Sequence, residues 1–351
     1  TLWHTKPLDI GSPPFNWLDT TAMWDIPFRF ARAKETGPGG RSMRDQQIMA
    51  EGLQFPEGPV ASADGSVLVV EIQRRTVTRV ANDGSVERLA ELPGGPNGLA
   101  MGPDGFLYIC NNGGFLFNEI DGLNRVKPGV PEGYAGGWIE RLHLATGRRE
   151  VLYRTCGEHP LVGPNDLVFD SYGGFYFTDF GKIYPRFRPN GGLYYAQADG
   201  SRIVEIAYPM ILPNGVGLSP DGLIVYAAET ETGRLWAFDL EGPGQRRPPA
   251  SSAPHGGRLV CGLGGYQRLD SLAVDAAGNI HVATLVTGCI TVISPAGEVL
   301  DQIMTGDPMT TNVCFGGPEL KTAYATLSGK GQLVRWEGEH RGSPLPHGDF
   351  A

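Results

Sequence analysis

Six oxygen-bearing side chains return in one frame along this chain. Glu57 follows Phe55-Pro56 and stands eight residues before Gly65, and Asn97 follows Pro96 and stands eight before Gly105. Asn165, Asn214 and Asp270 keep the same interval to Gly173, Gly222 and Gly278. Asn312 opens a degraded sixth copy in which Leu320 takes the glycine's place. Each frame reads as one short strand closed by a tight turn. Glu57, Asn165, Asn214 and Asp270 together offer two carboxylates and two amide carbonyls. Such an all-oxygen, doubly negative set suits a hard divalent cation such as Ca2+ or Mg2+. No histidine stands at these positions, which weakens a zinc reading. Asn and Asp are turn formers, so turn chemistry is the better account of any single copy. It also explains the Asp-Gly pairs at the far ends of the strands. It does not explain an oxygen at the near end of six strands in register.

The elements that must position these side chains follow from the repeat. The first unit divides into four short strands, over 58–62, 66–72, 76–81 and 86–91, and further units start at Asn97, Asn165, Asn214, Asp270 and Asn312. Six such units without helical patterns between them predict an all-β chain, a six-bladed β-propeller with four-stranded blades and an N-terminal extension. An up-and-down sandwich would not repeat one frame six times. Residues 1–50 read as an extension wrapping the propeller, 51–338 as the propeller domain and 339–351 as a C-terminal tail. Within the extension, the stretch from Trp24 to Ala33 is amphipathic and reads as a short helix, and 46–51 as a strand that joins the ring. In a propeller the first strand of each blade lines the axis, so the six oxygens converge on one end of the channel. Loops after the second strands crown that end, including two long insertions at 111–137 and 180–192. Long loops on a rigid scaffold are where binding concentrates.

Composition narrows the function. The 51 glycines and 28 prolines sit at turns between short apolar runs, which fits many tight connections. A net charge of −9 with no long basic run argues against a nucleic-acid partner. No apolar run reaches the ~20 residues that span a bilayer. The N-terminus shows no basic-then-apolar leader pattern. Five scattered cysteines, none in a Cys-x-x-Cys pair, read as buried thiols of a reducing compartment. The expected location is the cytoplasm, with the periplasm left open. There is no Gly-x-Ser-x-Gly elbow and no Walker loop. Further candidates lie around the crowned end. His159, six residues before Asn165, is a candidate proton carrier. Tyr134, Trp138, Tyr184 and Phe187 either wall an apolar substrate or pin the insertions. Glu71, Asn111, Asn112, Asp179 and Glu229, near the ends of second strands, either face the pocket or cap loops.

Four motifs in order, Phe-Pro-Glu-Gly-Pro-Val, Gly-Pro-Asn-Asp-Leu-Val-Phe-Asp, Pro-Asn-Gly-Val-Gly-Leu-Ser-Pro-Asp-Gly and Leu-Asp-Ser-Leu-Ala-Val-Asp, resemble the SMP-30/gluconolactonase family over roughly 51–337. The resemblance implies a six-bladed propeller with one divalent metal at the channel mouth, most often calcium, with Mg2+, Mn2+, Zn2+ and Fe2+ as other candidates. It implies Glu57, Asn165, Asn214 and Asp270 as metal ligands, with Asn165 holding metal or substrate. It implies hydrolysis of a lactone, either a sugar lactone of the gluconolactone kind or a bulkier cyclic ester, by a water that Asp270 activates as general base or orients as ligand. Asn97, Asn112, Asn165, His159 and Tyr184 form the expected substrate-binding set. The extension and the blade-two insertion depart from compact relatives and point to a bulkier or less polar lactone than a sugar lactone, and the extension also to a homo-oligomeric contact. The alternatives are a phosphotriester hydrolase on the same calcium site, a non-enzymatic binding propeller, and a metal-free condensing enzyme of the strictosidine synthase type.

Overall fold

The computed structural model describes residues 40–249 and 251–347. The expected helix near Trp24, and most of the extension to which an oligomer contact was assigned, lie outside the described residues. The described chain is all strand, arranged as six sheets around an axis.

Blade one is Pro56–Ala61, Val67–Glu71, Thr76–Val80 and Val86–Glu91, in that order from axis to rim. Its second strand, Val-Leu-Val-Val-Glu, is wholly buried, because neighbouring blades cover both of its faces. Its fourth strand is largely exposed and correspondingly polar. Blades two to five begin at Pro96–Met101, Pro164–Phe169, Pro213–Leu218 and Arg268–Val274. Blade six has only three strands from its own unit, Thr310–Gly316, Thr322–Leu327 and Gln332–Glu337. Its fourth is Gln47–Ala50, paired antiparallel to Gln332–Glu337. The first and last stretches of the ring thus share a sheet, which ties the ring shut. Gly40–Met43 adds a parallel strand outside blade five.

The turns are built as the frame predicts. Asp64 accepts the backbone N–H of Ser66 at 2.9 Å while Gly65 takes φ +80°, and Asp104 and Asp221 repeat the arrangement. Leu320, in the degraded copy, still holds the left-handed backbone of the glycine slot (φ +55°), a strain of about 1–2 kcal/mol for a side-chain-bearing residue.

The core lies between blades. One apolar cluster joins blades one and two through Val70, Ile72, Leu99 and Ile109, another joins two and three through Tyr108, Ile139, Phe175 and Phe177, and the series continues around the ring. The C-terminal segment runs back across the lower end of the channel. The Arg341 carbonyl accepts from Ala276 N–H, Ser343 N–H donates to the Val274 carbonyl, and His347 meets Phe169 edge-on. Among the described residues no helix is long and apolar enough to cross a membrane, and the five cysteines are free.

Candidate active site

Every first strand carries a β-bulge where it enters the channel. Pairing with the second strand skips between Glu57 and Val60, Pro96 and Leu99, Pro164 and Leu167, Pro213 and Val216, and Leu269 and Leu272. A bulge leaves a residue unpaired and re-aims its side chain. Glu57, Asn97, Asn165, Asn214 and Asp270 sit at these skips, all are buried, and all five line one cavity of about 400 Å³ at the upper end of the axis. Three of the residues that follow a ring oxygen, Gly58, Gly98 and Gly215, are glycines held against the adjoining strand. A Cβ on Gly58 would lie 2.5 Å from the Asn97 carbonyl, and one on Gly215 would lie 2.7 Å from the Asp270 carbonyl.

The sixth oxygen is not where the repeat frame puts it. In blade six the skip falls between Thr310 and Asn312, so Thr311 occupies the bulge and Asn312 takes the position that Gly58 and Gly215 hold elsewhere. The first strand of blade six runs one residue further from its bulge to its turn, and that displaced the frame. Asn312 lines the lower cavity and points its amide upward, donating from Nδ2 to Glu57 Oε2 at 2.8 Å. It is a support for Glu57 and not a sixth member of the ring.

The electrostatics of the floor are those of crowded carboxylates. Burial pushes the Glu57 carboxyl up, against hydrogen bonds from Asn312 and Gly58 N–H. Burial, and then the neighbouring Glu57, push Asp270 well above the ordinary range, and Arg268 opposes them. Asp166, one residue below the ring, is raised to about 7, first by burial and then by Glu57. Asn214 donates to Thr230 Oγ1 at 3.2 Å and accepts from Ser271 Oγ at 3.4 Å. Among the described residues the side-chain amides of Asn97 and Asn165 have no hydrogen-bond partner, and no three His, Cys, Asp or Glu side chains gather as a metal cluster. Three of the five ring residues are amides, which makes a hard and weakly charged oxygen set.

The polar residues ending the second strands cap loops. Glu71 Oε2 accepts Gln54 N–H at 2.7 Å, Asn111 Oδ1 accepts Gly95 N–H at 2.9 Å, and Glu229 Oε1 accepts Ile211 N–H at 2.7 Å. Asp179 accepts the N–H groups of Val162 and Gly163. Each clamp thus fixes the backbone two or three residues before a ring oxygen in its own blade.

The insertions build the roof. Leu116–Ile120 and Leu123–Lys127 form a hairpin that leaves blade two and reaches past blade one, where Asn124 N–H donates to the Gly329 carbonyl of blade six at 2.9 Å. Phe117 packs on Phe55 beneath it, with ring centroids 5.1 Å apart. Gly129 N–H donates to the Ile183 carbonyl of the other insertion at 2.8 Å. Lys182 locks the two insertions together. Its buried Nζ donates to the Gly114 carbonyl at 2.7 Å, lies 4.1 Å from the Phe115 ring centroid, and is lowered to about 7 by burial against the pull of Asp179.

Three expected substrate residues lie elsewhere. Asn112 is fully buried, its Oδ1 accepting from Gly114 N–H at 2.7 Å, so it shapes the insertion and does not line the cavity. His159 is exposed on a two-residue ladder with Cys156 and is not a cavity residue. Tyr184 stacks on Phe187 at 4.4 Å, pinning its own loop and not walling the cavity. The apolar walls come instead from Phe55, Ile72, Phe115, Phe180, Leu285 and Met309.

Known proteins share this architecture. Regucalcin from Agrobacterium tumefaciens, described as a calcium-binding protein, superposes with a TM-score of 0.70 at 18% identity, over 88% of this chain and 98% of that one. XC5397 from Xanthomonas campestris, described as a gluconolactonase, superposes with a TM-score of 0.64 at 21% identity, over 86% and 89%. In sequence the chain is 26% identical to lactonase drp35 of Staphylococcus epidermidis over 262 residues, covering 74% of this chain and 70% of the relative, and 28% identical to that of Staphylococcus haemolyticus over 260 residues, 74% and 71%. The family model for the SMP-30/Gluconolactonase/LRE-like region matches residues 55–329, from the residue before the first bulged strand to the loop that receives the roof hairpin, and the chain belongs to that family.

Proposed function

We propose that this chain is a metal-dependent lactonase that opens a cyclic ester on the floor of the upper cavity, with calcium as the first candidate for its ion. The observation that carries the reading is the ring itself. Two buried carboxylates, Glu57 and Asp270, face one cavity with three buried amides, of which Asn97 and Asn165 have no side-chain hydrogen-bond partner among the described residues, and no protein cation bonds to Glu57 there. Two adjacent buried carboxylates are costly unless a cation compensates them. Glu57, Asn165, Asn214 and Asp270 would hold it. When bound, such an ion supplies Lewis-acid polarisation of the ester carbonyl and a lowered pKa for the water beside it. Asp270 takes the proton of the attacking water, while Asn97 holds the substrate from the same floor. The apolar walls exclude bulk water, which strengthens each polar contact on the floor. The relatives named lactonase and gluconolactonase support the reaction class, and the neighbour described as calcium-binding supports the ion.

The test is hydrolysis of a panel of sugar and non-sugar lactones by metal-stripped protein, with Ca2+, Mg2+, Mn2+, Zn2+ or Fe2+ restored singly. Lactone opening that returns only with metal is expected. Full activity in protein shown by metal analysis to be empty would overturn the metal role. Silence across the panel with metal bound would overturn the lactonase reading.

A further inference from the structure

The upper cavity has three layers. Its floor is acidic, at Glu57 and Asp270, and its walls are apolar. Its remaining charged lining is entirely basic, namely Arg125, Lys127 and Arg268, in a chain of net charge −9. Arg268 belongs to the floor: it forms an ion pair with Glu231 Oε1 of the preceding blade at 2.8 Å, shares that carboxylate with Arg188, and acts on Asp270. Arg125 and Lys127 belong to the roof. They alternate along the second strand of the hairpin, opposite Asn118 and Leu116. The hairpin's own acids, Glu119 and Asp121, do not line the cavity. A hairpin with charge placed only for solubility would not sort its signs in this way.

We propose that the roof hairpin forms an anion subsite, so that the lactone taken by this pocket carries a carboxylate or similar anionic group at the far end of an apolar body. The proposal rests on the lactonase reading for what happens on the floor, but not for the subsite. A polyhydroxylated lactone would set hydroxyls against Phe55, Ile72, Phe180 and Met309, where unpaired polar groups are costly. An apolar body ending in an anion satisfies each layer in turn. Guanidinium and ammonium groups give charge-assisted bonds to such an anion, stronger than neutral ones.

The experiment uses the calcium-loaded full chain and γ-butyrolactone bearing a 4-carboxyphenyl group, its carboxamide, and the lactam counterparts of both, which bind without opening. Calorimetry is expected to find the carboxylate lactam on the order of tenfold tighter than the carboxamide. The preference should shrink in about 1 M salt, where the Debye length is roughly 3 Å. It should vanish in R125M/K127M and persist in R125K/K127R, and thermal unfolding of each variant checks its fold. Equal binding of the two lactams, binding of neither, or a preference that survives in R125M/K127M would overturn the subsite, the last because the anion would then sit on the floor. Charge-selective lactam binding with no lactone opened would leave the subsite standing and sink the lactonase reading. Lactone opening without charge preference would do the reverse.

Discussion

The channel has a cavity at each end, about 400 Å³ above, walled by five of the first strands, and about 410 Å³ below, walled by all six. Size does not separate them; strand register does. Above, bulges turn Glu57, Asn97, Asn165, Asn214 and Asp270 inward. One step below, the same strands offer Gly58, Asp166 and Asn312, and then apolar residues closed over by the C-terminal segment. Two polar side chains of this lower tier bond to the ring above, Asn312 to Glu57 and Ser271 to Asn214. The lower end is thus a support for the upper one, and chemistry and stability should separate along the axis.

The sharpest test of that separation pairs one substitution from each end. Glu57→Gln keeps the shape of the floor but removes a charge, and should lower kcat/KM on the order of 10²–10³-fold, with calcium affinity falling in parallel and the melting temperature held. Phe169→Ala, in the core below, should cost about 3–5 kcal/mol of stability yet leave kcat/KM within about threefold, since distant sites without shared partners act independently. If both variants lost activity and stability together, the division between the two ends would collapse.

Asn312 lies on the boundary and sharpens the comparison. Removing its donor in Asn312→Ala leaves the ring residues in place but frees Glu57 Oε2 of one of its two hydrogen bonds. Calcium affinity should fall about 10–100-fold, as it does when outer partners of metal ligands are removed. Calorimetric titration reads this directly, and an unchanged affinity would mean that the lower tier does not support the floor.

Much of this was legible along the chain, and the losses have physical causes. The eight-residue frame is local: a strand of fixed length and an Asx-type turn repeat wherever the residues repeat, so five ring members could be placed by counting. The sixth could not, because one extra residue between the blade-six bulge and its turn shifts Asn312 out of the bulge while leaving its interval to Leu320 intact. Gly58, Gly98 and Gly215, each following a ring oxygen, were the available signal of close approach at the axis, and Val313 in that position after Asn312 was the warning. Closure of blade six by Gln47–Ala50 was readable as a strand joining the ring. The directions of Asn112, His159 and Tyr184 were not, because side chains on insertions answer to contacts distant in sequence. The crossing of the hairpin to Gly329 depends on the same long-range packing.

The smallest effect on turnover is expected at Lys182, which holds the roof and not the floor. Its ammonium is buried between the insertions, lowered to about 7 by that burial, with Asp179 acting in the opposite direction. Below about pH 7 the folded and unfolded chains both carry the proton, and the fold bears the full cost of the buried charge. Between there and the ordinary lysine value near 10.4, the folded side chain is neutral while the unfolded one is still protonated. The unfolded state then binds more protons, so this group makes stability rise with pH across that window, by at most about 1.4 kcal/mol per pH unit. Lys182→Met should flatten that part of the stability profile in denaturant unfolding between pH 7 and 10 (the window about those two values), while shifting kcat/KM for neutral lactones by less than the floor substitutions do. The bond to the Gly114 carbonyl is lost in the same variant, which leaves that carbonyl unpaired at a cost of about 1–3 kcal/mol at every pH. The two contributions therefore differ in form, one a constant offset and the other a slope. A profile for Lys182→Met that runs parallel to the parent chain would show that the lysine is not neutral in the fold, and that the roof is held by a charge and not by a hydrogen bond alone.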